Sequence, residues 1–126
     1  MIKTNKFEIT QKNIDEVCIL YLNGYLDAHT APELENTIAS IIEKGIFKIL
    51  INFNNLDYIS SAGLGVFMAF IEEIRKNEGD IKMSSMRTKV FSVFDLLGFP
   101  VLFDIEVDDD TALNKFAMGL NKKNEF

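Results

Sequence analysis

An unbroken apolar run near the middle of the chain limits the folds open to it. Residues Phe47 to Phe53 have strand character, and Ile49, Leu50 and Ile51 follow one another with no polar residue between them. Successive side chains of a strand point to opposite faces, so three consecutive aliphatic residues need apolar cover on both sides of a sheet. The run therefore predicts a sheet with helices packed against it.

Strand and helix patterns alternate along the rest of the chain, and strands joined by helices should lie parallel through right-handed crossovers. We expect a single α/β domain over residues 1–126, with a mostly parallel central sheet of four to five strands, an N-terminal hairpin strand and about four flanking helices. The ordered core should cover about residues 7–120, and residues 121–126 should form a frayed tail. Strands are predicted at Phe7–Gln11, Glu16–Asn23, Phe47–Phe53, Ile81–Ser84 and Val101–Ile105, and helices from Thr30 to Gly45, Leu64 to Ile74, Thr88 to Leu97 and from Asp110 onward.

Capping signals place the helix ends. Thr30 is expected to cap the first helix, with Glu33 completing a capping box. Asp110 or Thr111 is expected to cap the last one. The third helix should bury Val90, Phe91, Phe94 and Leu97, and the last should bury Leu113, Phe116, Ala117 and Leu120.

Composition excludes several classes of function. The net charge of −6 argues against nucleic-acid binding, which depends on a basic surface. The single cysteine, Cys18, allows no internal disulfide and lies in an apolar strand, where it is expected to be a buried hydrophobe. No apolar run reaches transmembrane length, and the first residues lack the apolar stretch of a signal peptide. We therefore expect a cytoplasmic protein without membrane insertion.

Two polar segments follow strands and mark the expected functional edge of the sheet, because sites of α/β sheets lie beyond the carboxyl ends of the strands. They are Gly24 to Thr30 and Asn54 to Gly65. The second carries adjacent serines, Ser60 and Ser61, where a strand gives way to an apolar helix.

Enzymatic readings of this junction fit poorly. A hydrolase would need Ser61 in a G-x-S-x-G turn with Asp27 and His29 as partners, but position 59 is Ile, and the two partners stand on one short segment. Gly63 and Gly65 lack the third glycine of a dinucleotide fingerprint. We expect no enzyme activity, no catalytic residue and no cofactor.

A metal site is not indicated either. The acidic run from Asp104 to Asp110 lacks the glycine and the terminal glutamate of a calcium loop, and His29 is the only histidine. We expect this run to be a solvated turn that favours the N-terminus of the following helix.

The serines leave two roles open. A serine at a helix start can cap the helix, which is worth about 1 kcal/mol. It can also carry a phosphate, which free N–H groups and the helix dipole tolerate. Both hold together if Ser60 caps and Ser61 is the acceptor.

These residues resemble a known family. The segment Asp57 to Val66, DYISSAGLGV, resembles the signature of STAS domains, the bacterial anti-sigma factor antagonists. The segment Gly24 to Thr30, GYLDAHT, resembles a second motif of that family, G-x-L-D-x-x-T. Element order and chain length match as well, so the resemblance covers nearly the whole chain.

The resemblance implies a partner-switching regulator. Such proteins bind an anti-sigma factor with serine kinase activity and thereby free a sigma factor. The kinase phosphorylates one serine and ends binding, and a serine phosphatase restores it. The acceptor falls on Ser61, and Asp27 falls on an acidic position beside that serine. Some members carry Asp immediately before the acceptor, where this chain has Ser60, so Ser60 is the alternative acceptor.

On this basis we expect the partner to dock on a face made of the loop from Tyr25 to Thr30 and the helix that starts at Ala62. Gly63 and Gly65 carry no side chain and would allow the backbone of a partner to approach this face closely. Leu64 is either a core residue or an exposed hydrophobic anchor. The alternative is a scaffold that is not phosphorylated and serves as a subunit of a transporter or signalling assembly. The expected partner-binding residues are Tyr25, Asp27, His29, Thr30, Ser60, Ser61, Ala62, Gly63 and Leu64.

Overall fold

A computed structural model describes residues 6–120 and shows an α/β domain built on one five-stranded sheet. The strands stand in chain order, β1-β2-β3-β4-β5; β1 is antiparallel to β2, and the remaining pairs are parallel. This confirms the predicted fold class. The elements are β1 Glu8–Ile14, β2 Val17–Leu26, α1 Ala31–Glu43, β3 Lys48–Ile59, α2 Ser61–Lys76, β4 Asp80–Ser84, α3 Thr88–Leu96, α4 Phe99–Leu102, β5 Ile105–Glu106 and α5 Asp109–Ala117.

The strand order decides where the helices lie. Each parallel crossover moves one strand in the same direction, so right-handed connections place α1 to α4 on one face of the sheet. The side chains agree, because all four helices contribute buried residues to the larger apolar cluster. Helix α5 follows the last strand and covers the other face, where Ala112 and Phe116 pack on Val17, Ile19 and Leu50.

The apolar run from Ile49 to Ile51 is covered by helices on both faces of the sheet, as the sequence predicted. Ile49 and Ile51 point into the larger cluster, and Leu50 points into the smaller one beneath α5. All three side chains are fully buried.

Both central strands run further than predicted. β2 continues to Leu26 and β3 to Ile59, although the segment from Asn54 was expected to be a loop. Two register shifts between the strands, after Tyr21 and after Gly24, allow the pairing to resume. A bulge hides such a continuation from period-2 reasoning, because it moves the apolar positions out of phase.

The region after α3 was predicted wrongly. Instead of a strand over Val101–Ile105, the chain forms the short helix α4 and a strand of two residues, β5. Gly98 adopts φ 76°, which ends α3, and Pro100 is tolerated in the first turn of α4.

Several residues predicted as buried in the outer helices are exposed instead, because α3 and α5 bury only a narrow stripe and end at Leu96 and Ala117, short of their predicted ends. They are Phe91, Leu97, Ala117 and Leu120. The predicted frayed tail, 121–126, lies outside the described residues.

The acidic run favours the N-terminus of α5, as expected from the sequence, but it is only partly solvated, because Asp104 is buried while Asp108 and Asp110 are exposed. Asp108 caps α5 by accepting a hydrogen bond from the Thr111 amide at 2.8 Å, which lowers the pKa of its carboxyl, so neither Asp110 nor Thr111 is the cap. Asp109 accepts hydrogen bonds from Asn52 and Ser84 and fixes the start of α5 to the sheet.

A buried ion cluster joins β4 to both helical layers. Lys82 is fully buried, and its Nζ lies 3.0 Å from Asp80, 2.8 Å from Asp104 and 2.6 Å from the Leu120 carbonyl oxygen. Arg75 of α2 contacts Asp80 at 3.0 Å.

Among the helices described over residues 6–120, none has both the length and the apolar character that a membrane span needs.

We predict that Lys82→Met destabilises the domain by about 3 kcal/mol, because it removes the buried cation that the carboxylates of Asp80 and Asp104 share. Lys76→Met is the matched control. Its ammonium is 73% exposed and pairs with Glu72 at 3.5 Å, so the loss should stay under about 1 kcal/mol. Urea unfolding measures both, and equal stabilities would show that the cluster contributes nothing.

Candidate functional site

The two polar segments meet where β2 and β3 end. Leu26 and Ile59 are partners in the last register position of the two strands. The amide of Ser60 then donates to the carbonyl oxygen of Leu26 at 2.9 Å. The loop beginning at Asp27 and the start of α2 are therefore held side by side, as the sequence predicted.

The loop between β2 and α1 is tied down by its own side chains. Asp27 Oδ1 accepts hydrogen bonds from the amides of His29 at 2.9 Å and Thr30 at 3.2 Å. Thr30 Oγ1 accepts from the Asp27 amide at 2.9 Å and donates to the Tyr25 carbonyl at 2.8 Å. These bonds give the loop one defined conformation.

The predicted capping box at Thr30 is wrong. Thr30 stands at the N-cap of α1, but its side chain makes no capping bond. The hydroxyl is used by the loop instead, and the first free amides of the helix bond to backbone carbonyls. Ala31 N donates to Asp27 O at 2.8 Å, and Glu33 N donates to Thr30 O at 3.0 Å.

The two serines have different surroundings. Ser61 is the first residue of α2 and is exposed. Ser60 occupies the N-cap position with extended backbone, yet its Oγ makes no capping bond, is enclosed and has no hydrogen-bond partner within the described residues. The prediction that Ser60 caps the helix is therefore wrong, and Ser61 carries the accessible hydroxyl of the pair.

The first turn of α2 is partly core. Leu64 is only 3% exposed, which settles its role in the free chain as core. A Cβ placed on Gly63 would lie 2.7 Å from Cγ of Leu26, so this glycine allows the helix to approach β2 closely. A Cβ on Gly65 would meet nothing within 4 Å. The exposed side of the turn consists of Ser61, Ala62 and Gly65.

Two residues beside the serines, Tyr58 and Arg87, were missed by the sequence analysis, which named Tyr25 alone of this group. Tyr25 and Tyr58 are neighbours in register, and their ring centroids lie 5.5 Å apart. Arg87, just before α3, pairs with Asp57 and donates from Nε to the Asn54 carbonyl at 2.8 Å. Tyr58 is an exposed residue of β3. Its outward orientation was not recognised, because the segment from Asn54 was predicted to be a loop.

The arrangement does not form a catalytic triad. Asp27 uses one carboxylate oxygen to hold backbone amides, and no hydrogen bond between side chains joins Asp27, His29 and Ser61 in the described structure. Over residues 6–120, no group of three or more His, Cys, Asp or Glu side chains is placed to hold a metal ion. What the site offers is an exposed serine hydroxyl on a helix N-terminus, flanked by an ordered loop.

Comparison with known proteins places this geometry in context. The family model described as the STAS domain matches residues 8–112. BtrV of Bordetella bronchiseptica, named as a candidate anti-sigma factor antagonist, is 29% identical over 113 residues, which cover 90% of this chain and 97% of BtrV.

Two solved structures share the fold. An anti-sigma factor antagonist from Mycobacterium paratuberculosis superposes with a TM-score of 0.81 at 21% identity, covering 90% of this chain and 97% of that one. The phosphorylated form of the Bacillus cell fate determinant SpoIIAA gives a TM-score of 0.67 at 20% identity, covering 88% and 99%.

We predict that Ser60→Ala leaves stability unchanged or raises it by up to about 1 kcal/mol, because it removes a buried hydroxyl that has no partner. If the Ser60 hydroxyl capped the helix, the same change would lower the stability of the protein by about 1 kcal/mol. Thermal unfolding of the two proteins side by side distinguishes these results, and a clear loss of stability would show that Ser60 does cap α2.

The two glycines of α2 should respond differently to alanine. Both changes gain the same helix propensity, so their difference isolates packing. We expect Gly63→Ala to be about 1–3 kcal/mol less stable than Gly65→Ala, because only the first crowds Leu26. Denaturant unfolding of both variants tests this, and equal stability would contradict the close approach of α2 to β2.

Proposed function

The chain belongs to the STAS domain family, and on that premise we propose that it is an anti-sigma factor antagonist controlled by phosphorylation of Ser61. In its unmodified form it binds an anti-sigma factor with serine kinase activity in the cytoplasm, and a sigma factor is released. The kinase then phosphorylates Ser61 and ends the interaction. A serine phosphatase returns the antagonist to its binding form.

One observation carries the choice of Ser61. Of the two adjacent serines, Ser61 alone presents an exposed hydroxyl, while the Oγ of Ser60 is enclosed. A kinase must bring the γ-phosphate of ATP to within bonding distance of the acceptor oxygen, so an enclosed hydroxyl would require the start of α2 to open. Ser60 remains the alternative acceptor only through such an opening.

The fold can carry the phosphate without unfolding. In an α-helix the first amides have no partner within the helix, and the first helical bond of α2 runs from Leu64 N to Ser60 O. A phosphate on Ser61 would lie near these amides and the positive end of the helix dipole, which favours an anion by about 0.3–1 kcal/mol. The modification therefore acts on the surface and leaves the core unchanged.

The switch works through charge at the interface. The phosphate adds a charge of about −1.5 to −2 close to the Asp27 loop, which is held against the start of α2 by the bond from Ser60 N to Leu26 O. When a partner covers this surface, like charges and unpaired polar groups cost several kcal/mol. Arg87 already binds Asp57 and the Asn54 carbonyl, so it is not free to neutralise the phosphate.

The comparisons support the proposal through related proteins. BtrV and the Mycobacterium paratuberculosis protein are both named as anti-sigma factor antagonists. SpoIIAA exists in a phosphorylated form with the same fold.

We predict that Ser61→Ala binds the serine-kinase anti-sigma factor of the same genome with wild-type affinity but accepts no phosphate. Ser61→Asp should bind about a hundredfold more weakly, which corresponds to roughly 3 kcal/mol. Calorimetry measures the affinities, and incubation with labelled ATP measures the phosphate.

Ser60→Ala is the matched control and should both bind and accept phosphate. Phosphate on Ser61→Ala would refute the acceptor assignment. Tight binding by the wild type with no phosphate on any serine would instead support the scaffold alternative, in which the chain is a fixed subunit of a larger assembly.

A further inference from the structure

We propose that two copies of this chain pair through the outer side of β1 and form a symmetric dimer, in which the two five-stranded sheets join into one. The two β1 strands run antiparallel, with Thr10 of one copy opposite Thr10 of the other. This inference does not rest on the proposed function, because its partner is a second copy of the chain and its test needs no kinase.

The outer side of β1 has no strand beside it. β1 is the first strand in the sheet order, and it pairs only with β2 among the strands of residues 6–120. Every second residue of an antiparallel strand directs its N–H and C=O groups to one side, so a row of backbone donors and acceptors lies along the outer side of β1. A further antiparallel strand would satisfy these groups.

Helix α1 leaves room for such a strand. An open polar groove of about 420 Å³ separates β1 from α1. It is lined by Gln11 of β1 and by Glu33, Asn36, Thr37, Ser40 and Lys44. Five of the seven residues of β1 are exposed, so the strand is not covered by a helix on either face.

The charged side chains of β1 share one face of the sheet. Ile9 packs against the larger apolar cluster, and Ile14 packs against the smaller cluster beneath α5. Because side chains alternate along a strand, Glu8, Thr10 and Lys12 lie on the same face as Ile14. All three are exposed.

These charges complement each other between two copies. Within residues 6–120 neither Glu8 nor Lys12 forms an ion pair, whereas Lys48 pairs with Glu16. In a dimer centred on Thr10, Glu8 of each copy stands opposite Lys12 of the other. The interface then holds two opposite-charge pairs on either side of a threonine pair, and both kinds of cross-strand pair stabilise a sheet.

The charges also select this register. A symmetric pairing centred on Glu8 or on Lys12 would place like charges directly opposite, which is destabilising. Centred on Ile9 or on Gln11, it would place a charge opposite Thr10 instead. A lysine on an edge strand normally discourages pairing with other chains. Here Glu8 of a second copy neutralises it, which favours a second copy over an unrelated strand.

The interface is small, because it holds five residue pairs from Glu8 to Lys12. We therefore expect a weak dimer, with a Kd between about 10 µM and 1 mM. Sedimentation velocity over that concentration range measures it for the whole chain.

Charge exchange tests the register. Glu8→Lys and Lys12→Glu each replace both opposite-charge pairs with like-charge pairs, so each should weaken the dimer by about tenfold or more. An equimolar mixture of the two variants restores opposite charges across the interface and should dimerise within about threefold of wild type. The double variant Glu8→Lys/Lys12→Glu should do the same by itself.

Glu73→Lys and Lys89→Glu are the matched controls, because both residues are exposed, lie outside β1 and change the net charge by the same amounts. Both should dimerise like wild type. Single variants of β1 that dimerise like wild type, or a mixture that fails to recover, would overturn the pairing around Thr10. A wild type that stays monomeric up to about 1 mM would overturn the dimer itself and favour a strand of another protein as the occupant of this edge.

Discussion

The parallel pairing of β2 with β3 up to their last residues is the constraint on which the rest of the site depends. Leu26 and Ile59 are register partners, and the bond from Ser60 N to Leu26 O carries the pairing one residue further. Without it, the Asp27 loop and the start of α2 would be two separate turns. With it, one short stretch of sheet edge fixes the loop, the exposed serine and the tyrosine pair relative to one another.

The fold gives up some local stability to keep this arrangement. Ser60 has the residue type and backbone of a helix cap, yet its hydroxyl is enclosed and unbonded. Gly65 lies on an exposed turn of α2 where alanine would meet no neighbour and would favour the helix. The ordering of the site comes instead from the β2–β3 pairing and from the bonds between Asp27 and Thr30.

The sequence predicts the layers of this fold well and its details less well. The apolar run around Leu50 is local information, and it correctly predicts cover on both faces of the sheet. The length of β3 is not local, because two register shifts put its apolar positions out of phase. Lys82 is similar: a lysine is normally exposed, and although Asp80 stands two residues before it on β4, only the tertiary arrangement brings Asp104 to its ammonium.

At the site, the sequence identified the two loops that meet, but it left both serines as possible acceptors, and only the structure shows that the Ser60 hydroxyl is enclosed. It could not decide whether Leu64 is buried, since a residue at a helix start can face either way, and it missed Tyr58 because the strand was predicted to end too early. The central claim is that this geometry presents Ser61 as the single phosphate acceptor. Intact mass and phosphopeptide mapping of the wild-type chain, after incubation with ATP and its kinase, tests this most directly. The account predicts one phosphate, on Ser61; a phosphate on Ser60 or on any other residue would contradict it.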